Sequence, residues 1–127
     1  MPHLSFDYAA QLEDHLPMKA FAEHMRQAMF ETGIFPLGGI RVRGHRASVE
    51  AVADGGDWLW LDMVLRIGTG RPPEERQRAV DQLYAAARNF IEPRLGDQPF
   101  ALSLELREID PQFSAKSWNT IHRALDA

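Results

Sequence analysis

The succession of elements legible in the sequence predicts an α+β fold in which a β-α-β unit occurs twice. Four stretches alternate apolar and polar residues at the period of a strand, and two longer stretches carry apolar residues at helical spacing. Their order is strand, helix, strand, strand, helix, strand. At 127 residues the chain fits a single domain, 1–127, large enough to bury a core without covalent staples.

The first strand is read from Leu4, Phe6 and Tyr8 alternating with Ser5 and Asp7, so the chain starts inside a sheet. Met18, Phe21, Ala22, Met25 and Met29 then fall on one helical stripe between about Leu16 and Thr32, and Gly33 stops that helix. The segment from Ile34 to Gly39 reads as a loop with two glycine punctuation marks. Ile40-Arg41-Val42-Arg43 alternates again, which puts Arg41 and Arg43 on one face and Ile40 and Val42 on the other.

After a turn at Asp54-Gly55-Gly56-Asp57, Trp58 to Ile67 is the longest strand. Leu59, Leu61, Met63, Leu65 and Ile67 share one side, and Trp58, Trp60 and Val64 make the other partly apolar, as suits a central strand or a subunit interface. Gly68-Thr69-Gly70-Arg71 is a loop, and Pro72-Pro73-Glu74-Glu75 has the proline and acidic residues of a helix start. Val80, Leu83, Tyr84, Ala87, Phe90 and Ile91 line that helix, with Pro93 and Gly96 expected to end it. Phe100, Leu102, Leu104 and Leu106 give the cleanest strand, closed by Asp110-Pro111. Trp118, Ile121, His122 and Leu125 suggest a short terminal helix or an interface tail.

Composition narrows the chemistry. The absence of cysteine removes disulfides, thiolate nucleophiles and thiolate-bound metals, and suits a reducing cytoplasm. The formal net charge of −4 disfavours broad nucleic-acid binding, and the longest apolar runs are too short for a membrane span. The five histidines show no metal-ligand spacing, and His45 alone adjoins the arginine segment. Gly68 to Arg71 lacks the lysine and hydroxyl pair of a phosphate loop, no serine lies in a nucleophile elbow, and Glu74-Glu75 suits capping better than catalysis. Trp58 and Trp60 are read as packing or subunit contacts.

The start of the chain, Met1-Pro2-His3-Leu4, carries the strongest chemical signal. Removal of Met1 leaves proline as the amino terminus, a secondary amine that is both base and nucleophile. A free α-amino group titrates at about 7.7–8.0, and cationic neighbours or burial push it lower, so it can be neutral near pH 7. Arginine grips carboxylates in two-point fashion, so an arginine-lined pocket would suit a small anionic substrate, but biased codon usage explains twelve arginines against two lysines equally well, and position rather than number is informative.

Element order alone fits both a split βαβ sheet and a tautomerase sheet with proline at the tip of its first strand. Met1-Pro2-His3-Leu4, the twelve residues from Thr32 to Arg43, and Ile67-Gly68-Thr69-Gly70-Arg71 together resemble the 5-carboxymethyl-2-hydroxymuconate isomerases of the tautomerase superfamily. The similarity also runs through Ala53-Asp54-Gly55, Ala101 to Glu105 and the tail from Asn119 to Leu125, nearly the whole chain. The resemblance implies a four-stranded mixed sheet with two helices on one face, and a cytoplasmic homotrimer with no cofactor. It also implies an isomerase that acts on a dienol polycarboxylate in the degradation of aromatic acids such as homoprotocatechuate.

On those positions, Pro2 is the expected general acid-base and Arg41 the residue that holds a carboxylate or the developing oxyanion. Arg71 is expected to anchor a second carboxylate, with Arg43 a helper or a salt-bridge partner. Phe35 and the tail are expected walls, supplied across a subunit boundary. The alternative is a non-catalytic oligomeric binder of small dicarboxylates on the same scaffold.

Overall fold

In the computed structural model, which describes residues 1–126, four strands form one mixed sheet. They are β1 (His3–Ala9), β2 (Arg41–Ala47), β3 (Leu59–Ile67) and β4 (Phe100–Glu108), in the order β2-β1-β3-β4. α1 (Met18–Glu31) connects β1 to β2, and α2 (Pro73–Leu95) connects β3 to β4. β1 pairs parallel with β2, β3 pairs parallel with β4, and β1 and β3 are antiparallel at the centre. Because the two strands of each β-α-β unit are direct neighbours, the sheet is not the split arrangement that the element order had left open.

Both long helices cover one face. Leu4, Phe6 and Tyr8 of β1 and the five alternate residues Leu59 to Ile67 of β3 are all buried there. They meet Phe21, Met25 and Met29 of α1, and Leu83, Ala87 and Ile91 of α2. Phe21 sits edge-on between Phe6 and Phe90, with ring centres 5.1 and 5.4 Å away. Burying each such side chain contributes roughly 1.5–3 kcal/mol, so this layer dominates stability. His24 and Arg78 add polar ties: the first bonds the Ala86 carbonyl at 2.9 Å, and the second donates to the Thr32 carbonyl at 2.7 Å.

The uncovered face is polar. Across it at one level lie Arg41, His3, Arg66 and Arg107, and at the next Arg43, Ser5, Val64 and Glu105. This is the alternation expected for Arg41 and Arg43, with Ile40 buried and Val42 packed toward the core.

One expectation shifts. α2 does not stop at Pro93 but runs on to Leu95, and Gly96, at φ +62°, ends it. Proline forfeits only one amide bond in a last turn, where the burial of Leu95 and a 2.7 Å bond from Arg94 to the Phe90 carbonyl offset the loss. The short terminal helix suggested by Trp118, Ile121, His122 and Leu125 is present as α3 (Ile121–Asp126), and 3-10 turns occupy Ala10–Asp14 and Leu37–Gly39. Among the described residues no helix is long and apolar enough to cross a membrane.

Candidate active site

One end of the sheet gathers the start of β1, the start of β2 and the loop that leaves β3. The backbone amide of Arg41 donates to the Pro2 carbonyl at 3.1 Å, which fixes Pro2 at the edge of the sheet. The turn Leu37–Gly39 lies directly above. A Cβ on Gly39 would come within 3.1 Å of the Pro2 ring, and one on Gly38 within 2.5 Å of the His122 ring. The paired glycines therefore let proline on one side and α3 on the other close against the same turn.

The tail returns from β4 to this end. Asn119 Nδ2 donates to the Gly38 carbonyl at 3.3 Å and lies 3.4 Å from the Met1 sulfur. Between tail, turn and loop opens a cavity of about 710 Å³ bordered by Met1, Pro2, Gly68 to Arg71, Lys116, Asn119 and His122. Among the described residues no acidic side chain borders it, although the chain as a whole is acidic. A surface with positive charge and no carboxylate attracts anions.

Arg71 enters this cavity from the loop before α2, its Nη1 3.4 Å from the Gly68 carbonyl. Its guanidinium lies over the Phe35 ring, 5.3 Å from the centroid. Phe35 is buried in the same chain and does not border the cavity, so it backs Arg71 rather than forming a wall. Arg41 is half-buried, and its Nη1 donates to the Gly38 and Ile40 carbonyls, both at 3.0 Å. It braces the turn from beneath. Arg43 projects onto the open sheet face, where it bonds His3 Nδ1 at 3.1 Å. The structure thus brings Pro2 and Arg71 to one cavity, sets Arg41 and Phe35 behind its walls, and leaves Arg43 outside.

The electrostatics favour a neutral amine. Partial burial lowers the pKa of the Met1 amino group below 8.0, and Lys116, Arg71, Arg66 and Arg41 lower it further, in that order. A Pro2 amine exposed by loss of Met1 would sit one residue away in the same positive field. His3 is lowered too, first by burial and then by Arg66 and Arg43. His3, not only His45, therefore adjoins the arginine segment. Among the described residues no three His, Cys, Asp or Glu side chains cluster to hold a metal.

Lys116 and His122 were not singled out by sequence reasoning as cavity residues. His122 lies in the tail expected to supply a wall, within the similar segment from Asn119 to Leu125, whereas Lys116 precedes that segment and had no signal of its own.

Comparison with known proteins shows the family. The family model for 5-carboxymethyl-2-hydroxymuconate isomerase matches residues 2–125, beginning at Pro2. The chain is 31% identical over 123 residues to the 5-carboxymethyl-2-hydroxymuconate Delta-isomerase of Escherichia coli, covering 96% of this chain and 97% of that protein. A crystal structure of a 5-carboxymethyl-2-hydroxymuconate isomerase from Deinococcus radiodurans R1 superposes with a TM-score of 0.88 at 28% identity, over 98% of this chain and 93% of that one. At the level of fold alone, a structure described as a fused 4-OT wild-type symmetric trimer matches with a TM-score of 0.69 at 17% identity, over 96% and 98% of the two chains. By sequence and by architecture, this chain belongs to the 5-carboxymethyl-2-hydroxymuconate isomerase family.

Proposed function

We infer that the protein isomerises 5-carboxymethyl-2-hydroxymuconate, moving a proton from the 2-hydroxyl to C5, with the Pro2 amine as the single acid-base group. The observation that carries this is a cavity that Pro2 borders together with Arg71 and Lys116 and, among the described residues, no acidic side chain. Neutral Pro2 nitrogen takes the hydroxyl proton; the electron pair of the O–H bond forms the C2 carbonyl. The C2–C3 double bond moves to C3–C4, and the C4–C5 pair accepts at C5 the proton that proline returns. No atom is gained or lost, and the base is regenerated.

The cations divide the remaining work. Arg71 anchors one substrate carboxylate through a fork held against Phe35. Arg41 acts at range: its charge helps keep the amine neutral and steadies the oxyanion as it develops, while it holds the turn above Pro2. Arg43 supports that role from the open face through His3.

The same reading includes a cytoplasmic homotrimer in aromatic acid catabolism. Its support is the symmetric trimer described for a protein of like fold, together with the exposed apolar tail residues Phe113 and Trp118. Loss of the dienol's ultraviolet absorbance, followed with native protein and with Pro2→Ala, tests the activity. A binder without turnover would leave the absorbance to decay at its uncatalysed rate in both.

A further inference from the structure

The family's substrate carries three carboxylates, one at each end of the muconate chain and a third on the carboxymethyl arm. Arg71 accounts for one of them, and the arm poses a separate geometric problem. It branches from C5, the carbon that receives the proton, and a single methylene separates it from its carboxylate. Two carbon–carbon bonds of about 1.5 Å put that carboxylate carbon only about 2.5 Å from C5. Whatever group delivers the proton to C5 must therefore stand beside whatever cation receives the arm.

Lys116 meets that requirement. It borders the main cavity, and it also borders a second hollow of about 320 Å³ that adjoins the first at Met1, Gly68 and Thr69. Met1 stands where the two hollows meet, and Pro2, whose nitrogen Met1 caps, borders the first beside it. The Lys116 ammonium turns inward over the loop that leaves β3, 3.9 Å from where a Gly68 Cβ would lie. No carboxylate of the described residues pairs with it, whereas Arg26, Arg46, Arg76, Arg88 and Arg107 each have an acidic partner. Lys116 heads the four cations whose charges lower the pKa of the Met1 amine.

We propose that Lys116 is the specificity-determining residue for the carboxymethyl arm, binding its carboxylate in the hollow beside the amino terminus. A lysine suits the task, since a compact charge on a flexible stem can follow a carboxylate that swings on one methylene. Arm and amine are then held together by one residue, and C5 is presented to the base more effectively when the arm is present.

This inference rests on the isomerase activity proposed above, and its test separates the two. The substitution is Lys116→Met, which keeps the stem and removes the charge at an exposed position, with Lys116→Arg as the conservative variant. Each protein is assayed with 5-carboxymethyl-2-hydroxymuconate and with 2-hydroxymuconate, which lacks the arm. The ratio of the two kcat/KM values is the readout, because a change in the amine's titration or in folding affects both substrates and cancels. Lys116→Met should lower the ratio about ten- to hundredfold, as loss of one hydrogen bond between charged groups would, and Lys116→Arg should recover most of it. A ratio within twofold of the native value overturns the proposal. Should the native protein turn over neither substrate, the isomerase activity itself fails. Titration calorimetry with propane-1,2,3-tricarboxylate and glutarate then decides: a native preference for the triacid that Lys116→Met abolishes upholds the assignment, and an unaltered preference refutes it.

Discussion

The Arg71 guanidinium lies over the face of the Phe35 ring, 5.3 Å from its centre, and the ring is buried beneath it. A floor of this kind holds the planar fork in one orientation before any anion arrives. Phe35→Leu keeps an apolar core residue but removes the aromatic face, worth about 0.5–2 kcal/mol to a cation. KM should rise about three- to twentyfold with kcat changed far less, measured by steady-state kinetics, alongside a drop in thermal midpoint of a few degrees.

Arg71→Lys retains charge and loses the two-point grip. The expected result is a fall in kcat/KM of about tenfold or more, by the same kinetics. Circular dichroism should be unaltered, since the side chain lies at the cavity and donates only one long bond to the backbone.

Gly44 shows how little room the edge strand has. A Cβ there would stand 2.3 Å from the ring of Phe6, which is buried and braced by Phe21. The ring has nowhere to go. Gly44→Ala should therefore destabilise the fold by about 1–3 kcal/mol, read from the urea midpoint.

Much of this was legible in advance. Period-two alternation placed all four strands, because one face of each lies against the helices or their rim, and the two amphipathic stripes placed α1 and α2. What alternation could not supply was neighbourhood. Parallel pairing of β1 with β2 depends on where α1 returns the chain, and the stripe of α1 does not say so. At the site, the loop glycines were visible as turn signals, but their reason, close approach of Pro2 and His122, is a contact between segments far apart in sequence. Arg41 and Arg43 were rightly read to share a face, yet Arg41 bends its fork back to the Gly38 carbonyl while Arg43 stays on the open sheet. Lys116 lies in a tail with neither period, so nothing in its pattern announced that it comes back to the first residues of the chain.

The pH behaviour follows from the direction of two shifts. Burial, Lys116 and the arginines lower the Met1 amine, in whose place a freed Pro2 amine would stand. For a Pro2 amine freed in the same field, the rising limb of kcat/KM should lie below the ordinary α-amino range, and Lys116→Met should move it upward. For stability, His3 has a folded pKa below 6.5, so the unfolded chain binds the proton first. Stability should fall as pH drops through 6.5 toward that lowered value, and His3→Gln should flatten this part of the urea-midpoint profile.

The central claim is that a free proline nitrogen performs the proton transfer, and it is tested most directly by comparing protein with and without Met1, each verified by intact mass. Retained Met1 converts that nitrogen into an amide, which cannot serve as a base. The Met1-free form should exceed the Met1-retaining form in kcat/KM for dienol ketonisation by about a hundredfold or more. Equal turnover by the two forms would contradict the account.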